Sequence, residues 1–400
     1  MNKESLKRLK WITIICLIIL GIECLYLAYT YFFPKKTKVY FDGINAIINV
    51  NNAYITVGSN NDNDNNLEKA KISKYNNNKE KTFEKLYNKG YNSAFFGVAS
   101  DNNSLIAVGS YEKTEADNND SVRRALIVKY DENQEIEFEK EYKRLDNSKF
   151  TSVVITPDGY VACGQSIYKN TKVGSKEGGA ILVKYDKDGN LLWERYYGNS
   201  KEAIFNEVIY TNNLIYVVGS KDASTGVIIA YDLAGNIVYS SEYQGIDKAG
   251  FEGIVTDNNY LYVSGAINDN NISRAIIVKY NNFCEMQNEV IYQDKNSTAF
   301  HKLALDKEND LIVIGTLSLP KESEDKTISS YNLDGLVGKY TTDLKEVSVI
   351  SYGDEKDDYF TDITLVEDDY LITGYSSYEE GSYYSKFIRY SNALKLLGVE

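Results

Sequence analysis

Four residues of this 400-residue chain have side chains suited to acid–base chemistry and share one kind of position. Each lies one or two places after a phenylalanine that recurs along the sequence. Glu252 and His301 take the first place, and Glu207 and Asp362 take the second. A carboxylate beside an imidazole can orient it as a general base. The pattern therefore makes a hydrolase or lyase site at Glu252 and His301 one candidate function.

The composition narrows the chemistry that this chain can carry. His301 is the only histidine, which excludes a multi-histidine metal site and leaves no other imidazole for a Ser–His–Asp arrangement. The four cysteines form no CxxC pair, so the sequence indicates neither a zinc site nor a disulfide framework. We predict no cofactor.

One acidic stretch resembles part of a calcium loop. Asp62, Asp64 and Asn66 follow the alternate spacing of EF-hand ligands. The glycine expected at the sixth place is missing, and Ser73 stands where the distal glutamate belongs. The segment is either a weak calcium site or a solvated Asn-rich loop.

The elements that position these residues follow from a repeat of about 50 residues. An aromatic or aliphatic start is followed by a glycine 14 or 15 places later and then by a tyrosine that ends an apolar run. The starts are Ile44, Phe95, Phe150, Phe205, Phe251, Phe300 and Phe360. The matching glycines are Gly58, Gly109, Gly164, Gly219, Gly265, Gly315 and Gly374. Self-similarity at this period is typical of a propeller or a solenoid.

Each repeat contains four short strand signals separated by turn residues. In the third repeat they are residues 150–155, 160–164, 180–185 and 191–197, with Pro, Asp, Gly and Asn between them. Four-stranded units repeated around an axis form a β-propeller. We therefore predict an all-β fold, a seven-bladed β-propeller of four-stranded antiparallel blades over residues 44–400, preceded by one N-terminal transmembrane helix.

The repeat resembles that of bacterial β-propeller-repeat proteins, which are WD40-like or quinoprotein-like. The resemblance is carried by Asp-Gly-Tyr-Val-x-x-Gly at 158–164 and by the segment 180–193, which ends in Trp193. It implies a propeller and an envelope location, and it carries over no catalytic residue. The tryptophan near the end of each quinoprotein blade occurs here only as Trp193, so quinone binding is not expected.

Length variation in the repeats is concentrated in one loop. The distance from glycine to tyrosine varies from 12 to 25 residues, whereas the distance from start to glycine is almost constant. Antiparallel order places all these variable loops on the same face, together with the connections between repeats. The longest insertion, residues 320–330, lies in the sixth repeat. Loops tolerate insertion and carry function, so we predict that this face binds a partner.

Residues 11–33 are apolar enough to cross a membrane. Twelve of them are Ile, Leu or Phe, and together they favour insertion by about 5 kcal/mol against about 3 kcal/mol for the central Glu23. We predict a cytoplasmic tail at 1–10, an uncleaved transmembrane anchor at 11–33, and a tether with a possible ring-closing strand at 34–43. A cleavable signal peptide is the alternative.

The predicted protein is thus anchored in the cell membrane by a single span, with its propeller on the extracytoplasmic side. Its net charge of −13 argues against nucleic-acid binding, which depends on neutralising phosphates. We expect a binding or scaffold module that engages a protein or a glycan through the variable-loop face. An enzyme acting at the mouth of the central channel is the alternative.

Overall fold

A computed structural model describes residues 41–399 except 52, 62–66, 88, 115–120, 145–146, 168–177, 199, 223, 245–247, 323–327 and 378–381. Residues 40–400 form one compact unit. The described residues form 28 strands. They are β1 Asp42–Val50, β2 Ala53–Asn61, β3 Glu68–Tyr75, β4 Lys81–Leu86, β5 Tyr91–Asp101, β6 Ser104–Thr114, β7 Ser121–Tyr130, β8 Ile136–Tyr142, β9 Asn147–Thr156, β10 Gly159–Ile167, β11 Gly178–Tyr185, β12 Leu191–Tyr197, β13 Ile204–Thr211, β14 Leu214–Ser220, β15 Thr225–Tyr231, β16 Ile237–Gln244, β17 Lys248–Thr256, β18 Tyr260–Asp269, β19 Ile272–Asn281, β20 Met286–Ile291, β21 Ser297–Leu305, β22 Leu311–Glu322, β23 Ile328–Tyr340, β24 Glu346–Tyr352, β25 Asp358–Val366, β26 Asp369–Ser377, β27 Tyr383–Tyr390 and β28 Leu396–Val399.

The predicted β-propeller class is confirmed, whereas the predicted count of seven blades is wrong. The described strands form five four-stranded antiparallel blades, which are β1–β4, β13–β16, β17–β20, β21–β24 and β25–β28. The strands of the second and third repeats, β5–β12, belong to a single eight-stranded sheet. The expectation of seven separate, equal sheets therefore fails at these two repeats.

One backbone pairing between neighbouring repeats accounts for the larger sheet. Arg123 in β7 pairs in parallel with Asn147 at the start of β9, and the Arg123 N–H donates to Asn147 Oδ1 at 3.2 Å. The same pairing recurs where the chain closes on itself, because Phe41 forms a parallel bridge with Tyr383 in β27. Phe41 and Asn147 both lie three residues before a repeat start. The first repeat therefore contacts the last repeat in the same way as the third repeat contacts the second.

The apolar core lies between neighbouring repeats. Among the described residues, each apolar cluster draws side chains from two adjacent repeats. One of them joins Ile44 and Ile47 of the first repeat to Leu371 and Phe387 of the last. Apolar burial of this kind stabilises by about 1.5–3 kcal/mol per large side chain. The last repeat is thereby packed against the first.

A β-bulge at every repeat start explains the recurring glycine. The register of each first strand shifts directly after the start residue. The bulge brings a backbone carbonyl close to the facing strand. A Cβ atom at Gly109 would lie 1.9 Å from the Ala94 oxygen, and one at Gly265 would lie 2.1 Å from the Gly250 oxygen. Only glycine fits opposite the bulge.

The predicted N-terminal segments fall outside the described residues. The tail at 1–10, the anchor at 11–33 and most of the 34–43 tether belong to this part of the chain. Within the described residues, no helix has the length and apolar character needed to span a bilayer. Phe41, within the predicted tether and ring-closing segment at 34–43, is described and bridges to Tyr383 in β27.

Candidate functional site at the channel mouth

The bulged residue that follows each start ties its repeat to the next one. The side chains of four such residues donate to the backbone oxygen of the next start, at 2.7–2.8 Å. These pairs are Asn45 with Phe95, Thr151 with Phe205, Asn206 with Phe251 and Thr361 with Ile44. The bulge leaves this residue unpaired in its own sheet and so frees it for the contact. The hydrogen bond from Thr361 joins the last repeat to the first.

Glu252 and His301 occupy this same position in neighbouring repeats and contact each other. Glu252 Oε2 lies 2.6 Å from His301 Nδ1, and the two side chains are 42% and 20% exposed. His301 Nε2 lies 3.2 Å from Thr316 Oγ1. The sequence did not point to Thr316, because its only signal is its place directly after Gly315. The three groups form a hydroxyl–imidazole–carboxylate chain, which is the arrangement that can activate a hydroxyl or a water molecule.

Each member of this pair shifts the other's titration. Burial alone would lower the pKa of His301, but the charge and hydrogen bond of Glu252 outweigh it and raise the pKa above the ordinary histidine value. Burial alone would raise the pKa of Glu252, and His301 reverses this to give a lowered pKa. Each partner thus favours the charged form of the other.

Glu207 and Asp362 play matching structural roles three repeats apart. Glu207 Oε2 accepts from the Ile254 N–H at 2.9 Å, and Asp362 Oδ2 accepts from the Ile47 N–H at 2.8 Å. Each carboxylate therefore holds the first strand of the next repeat. The sequence predicts that the two correspond, and the structure adds that both are used as ties between repeats.

Lys302 connects these two carboxylates electrostatically. Its ammonium lies 2.5 Å from Glu207 Oε1. Burial would lower the pKa of Lys302, but the charges of Glu207 and Asp362 raise it. Burial raises the pKa of Asp362 to about 6, and Lys302 and the Ile47 N–H act in the opposite direction. Sequence reasoning did not single out Lys302, although it occupies the same second place after its start.

The two metal candidates have different outcomes. The calcium candidates Asp62, Asp64 and Asn66 lie outside the described residues. Within the described part, Asp306, Glu308 and Asp310 bring their carboxylates together in the β21–β22 turn. The Lys339 ammonium lies 3.0, 3.9 and 3.3 Å from these three groups, respectively. A protein cation thus already compensates this cluster, so we assign it a structural role.

The four-stranded antiparallel sheets define a β-propeller, and comparison with known proteins agrees. No known sequence family matches the chain, and no curated protein matches it either. Chaetomium thermophilum Sqt1 is similar in structure at a TM-score of 0.52 and 13% identity, over 91% of this chain and 88% of that chain.

Two further solved structures are also similar to this chain over most of its length. Chaetomium thermophilum Sqt1 bound to the N-terminus of the ribosomal protein L10 matches at a TM-score of 0.52 and 13% identity, over 91% of this chain and 90% of that chain. Kuenenia stuttgartiensis hydrazine synthase matches at a TM-score of 0.54 and 11% identity, over 91% of this chain and 99% of that chain. At such identities the likeness establishes the fold alone.

Proposed function

We propose that this protein is a binding module that engages a partner protein at the face carrying the second turns and the connections between repeats, called here the loop face. The observation that carries the proposal is the placement of Glu207, Glu252, His301 and Lys302. These ionisable side chains gather at the bulges near the middle of the first strands β13, β17 and β21, and the loops of varying length follow the second strand of each repeat at one end of the ring. Sqt1, which has the same fold, is described as bound to a ribosomal protein N-terminus, so a propeller of this kind can hold a protein segment.

We further propose that residues 11–33 anchor the module in the cell membrane and that the propeller lies on the extracytoplasmic side. The support is the apolar composition of that segment, which favours insertion despite Glu23. In this proposal residues 1–10 are cytoplasmic and residues 34–43 are the tether. A glycan partner stays a second possibility for the same face, and the experiments below separate it from a protein.

Photo-crosslinking of the full-length chain in its own membranes tests the binding face. A benzophenone amino acid replaces Tyr331, which is 60% exposed on the long β22–β23 hairpin of the loop face. The matched control replaces Phe283, which is 57% exposed in the β19–β20 turn of the opposite face. We expect a discrete protein adduct from position 331 and none from position 283. Equal labelling from both faces, or labelling from position 283 alone, contradicts the proposal.

A second candidate function is a hydrolase or lyase acting through Glu252 and His301. The specific observation in its favour is the 2.6 Å contact between them, extended by Thr316 on the other imidazole nitrogen. Nitrophenyl ester and glycoside probes should then be turned over by the natural chain, and E252Q and H301N should each lose that turnover by at least about 100-fold. Turnover that is absent, or unchanged in both variants, rejects this candidate.

A further inference from the structure

Three tyrosines of the last repeat occupy positions that carry no aromatic side chain in the other repeats. Tyr359 and Tyr375 face each other across β25 and β26, one pair before the Phe360 bulge, and Tyr383 begins β27. At the position of Tyr359 the other repeats have Gly43, Ala94, Lys149, Ile204, Gly250 and Ala299. At the position of Tyr375 they have Ser59, Ser110, Gln165, Ser220, Ala266 and Thr316. The fold therefore does not require these rings.

The three tyrosines form a continuous row of rings with His301 and Phe41, called here the aromatic row. The His301 ring stacks on Tyr359 with centroids 6.5 Å apart, and Tyr359 stacks on Tyr375 at 5.3 Å and 12°. Tyr383 meets Tyr375 edge-on at 5.6 Å, and Phe41 contacts both of these at 6.2–6.3 Å. All five side chains are partly exposed. The row thus starts at the Glu252–His301 pair and crosses the loop face of the last repeat.

The carboxylates of Glu252 and Asp357 act on this row. Glu252 adjoins its inner end through His301. Burial raises the pKa of Tyr359, and the negative charges of Glu252 and Asp357 raise it further. Burial also raises the pKa of Tyr375, and Tyr359, Tyr383 and Asp357 raise it further. Asp357 and Asp358 directly precede Tyr359 in the chain, and Lys386 pairs with Asp358 at 3.3 Å. Exposed aromatic faces next to negative charge are the surroundings that attract a guanidinium or ammonium group.

We propose that the aromatic row binds a basic, extended peptide segment of the partner protein, with Arg or Lys side chains lying on the tyrosine faces and pairing with Glu252 and Asp357. This inference rests on the proposed function and names the chemistry of its ligand. The acidic balance of the whole chain, −13, favours the encounter with such a segment. A neutral glycan could donate hydroxyl hydrogen bonds to these carboxylates, but it would lack the charge attraction of a guanidinium or ammonium group.

The test uses the full-length chain in detergent and a synthetic eight-residue peptide of alternating Arg and Gly. Two matched ligands are the same peptide with Glu in place of Arg and a neutral glucose oligosaccharide. The variants Y375S and Y359A introduce residues that other repeats carry at those positions, so we expect them to fold. F283A removes an exposed aromatic side chain on the opposite face and is the control variant, and circular dichroism checks the fold of all three.

We expect the natural chain to bind the Arg peptide. The affinity should fall by about tenfold in Y375S and in Y359A, and by about tenfold more in the double variant. Binding should also weaken as salt rises, because ions screen the carboxylates. F283A should bind like the natural chain. Preference for the Glu peptide or the oligosaccharide overturns the inference, and so does unchanged Arg-peptide binding by the double variant. If the adduct from position 331 persists in Y375S/Y359A, the proposed function stands while this inference fails.

Discussion

Removing the Lys302 ammonium should weaken the electrostatic interactions that Lys302 makes with Glu207 and Asp362 of other repeats. Lys302 lies 2.5 Å from Glu207, with the side chains 23% and 18% exposed. Opposite charges about 4 Å apart attract by about 4 kcal/mol at an effective dielectric constant of 20. Partial access to water reduces this, so we expect a coupling free energy of about 2 kcal/mol between the two residues.

A double-mutant cycle measures that coupling. The free energy of unfolding of the natural chain, K302M, E207Q and the double variant is obtained from urea titrations in the same detergent at pH 7. Each single change should cost about 2–3 kcal/mol, because it leaves one charge without its partner. The double change should cost about 2 kcal/mol less than the sum of the two. K302M should also raise the pKa of Asp362 above about 6, since the ammonium opposes that shift.

The control cycle uses Lys307 and Asp368, which lie 2.7 Å apart but are 64% and 78% exposed. Solvent and salt screen such a pair, so its coupling should be below about 0.5 kcal/mol. The reasoning is refuted if the Lys302–Glu207 coupling is as small as that of the control.

The other predictions concern the backbone, the histidine pair and the membrane. G265A places a Cβ 2.1 Å from a backbone oxygen and should lower the free energy of unfolding by about 3 kcal/mol or more. The control is G398A, because a Cβ at Gly398 meets open space, and it should change that free energy by less than about 0.5 kcal/mol. Because the pKa of His301 is raised in the folded chain, its stabilising pair with Glu252 is fully formed below the ordinary histidine pKa and is lost as pH rises through the folded value. The difference in unfolding free energy between the natural chain and H301Q should therefore shrink from pH 6 towards pH 9. A difference that stays constant with pH would contradict this. K187C, in an exposed turn, should react with a membrane-impermeant maleimide on intact cells if the propeller is extracytoplasmic, and labelling only after lysis would reject that location.

Much of the local structure could be predicted from the repeat alone. The spacing of starts, glycines and tyrosines predicts four strands per repeat, and the turn residues mark where they end. The contact between Glu252 and His301 also follows from equal positions in adjacent repeats, and the structure places the two side chains 2.6 Å apart. The blade count could not be obtained in this way, because one backbone pairing between Arg123 and Asn147 decides whether two repeats form one sheet or two.

The chain's own period determined the strand order within each repeat, the recurring glycine and the loop in which length varies, since these depend on residues close in sequence. Only the tertiary structure decided that Lys302 pairs with Glu207, 95 residues away, and that Phe41 reaches Tyr383 at the other end of the propeller. It also decided that Asp306, Glu308 and Asp310 are compensated by Lys339 rather than left open. These contacts depend on how closely neighbouring repeats approach and on how far a long side chain reaches, and no sequence period contains either quantity.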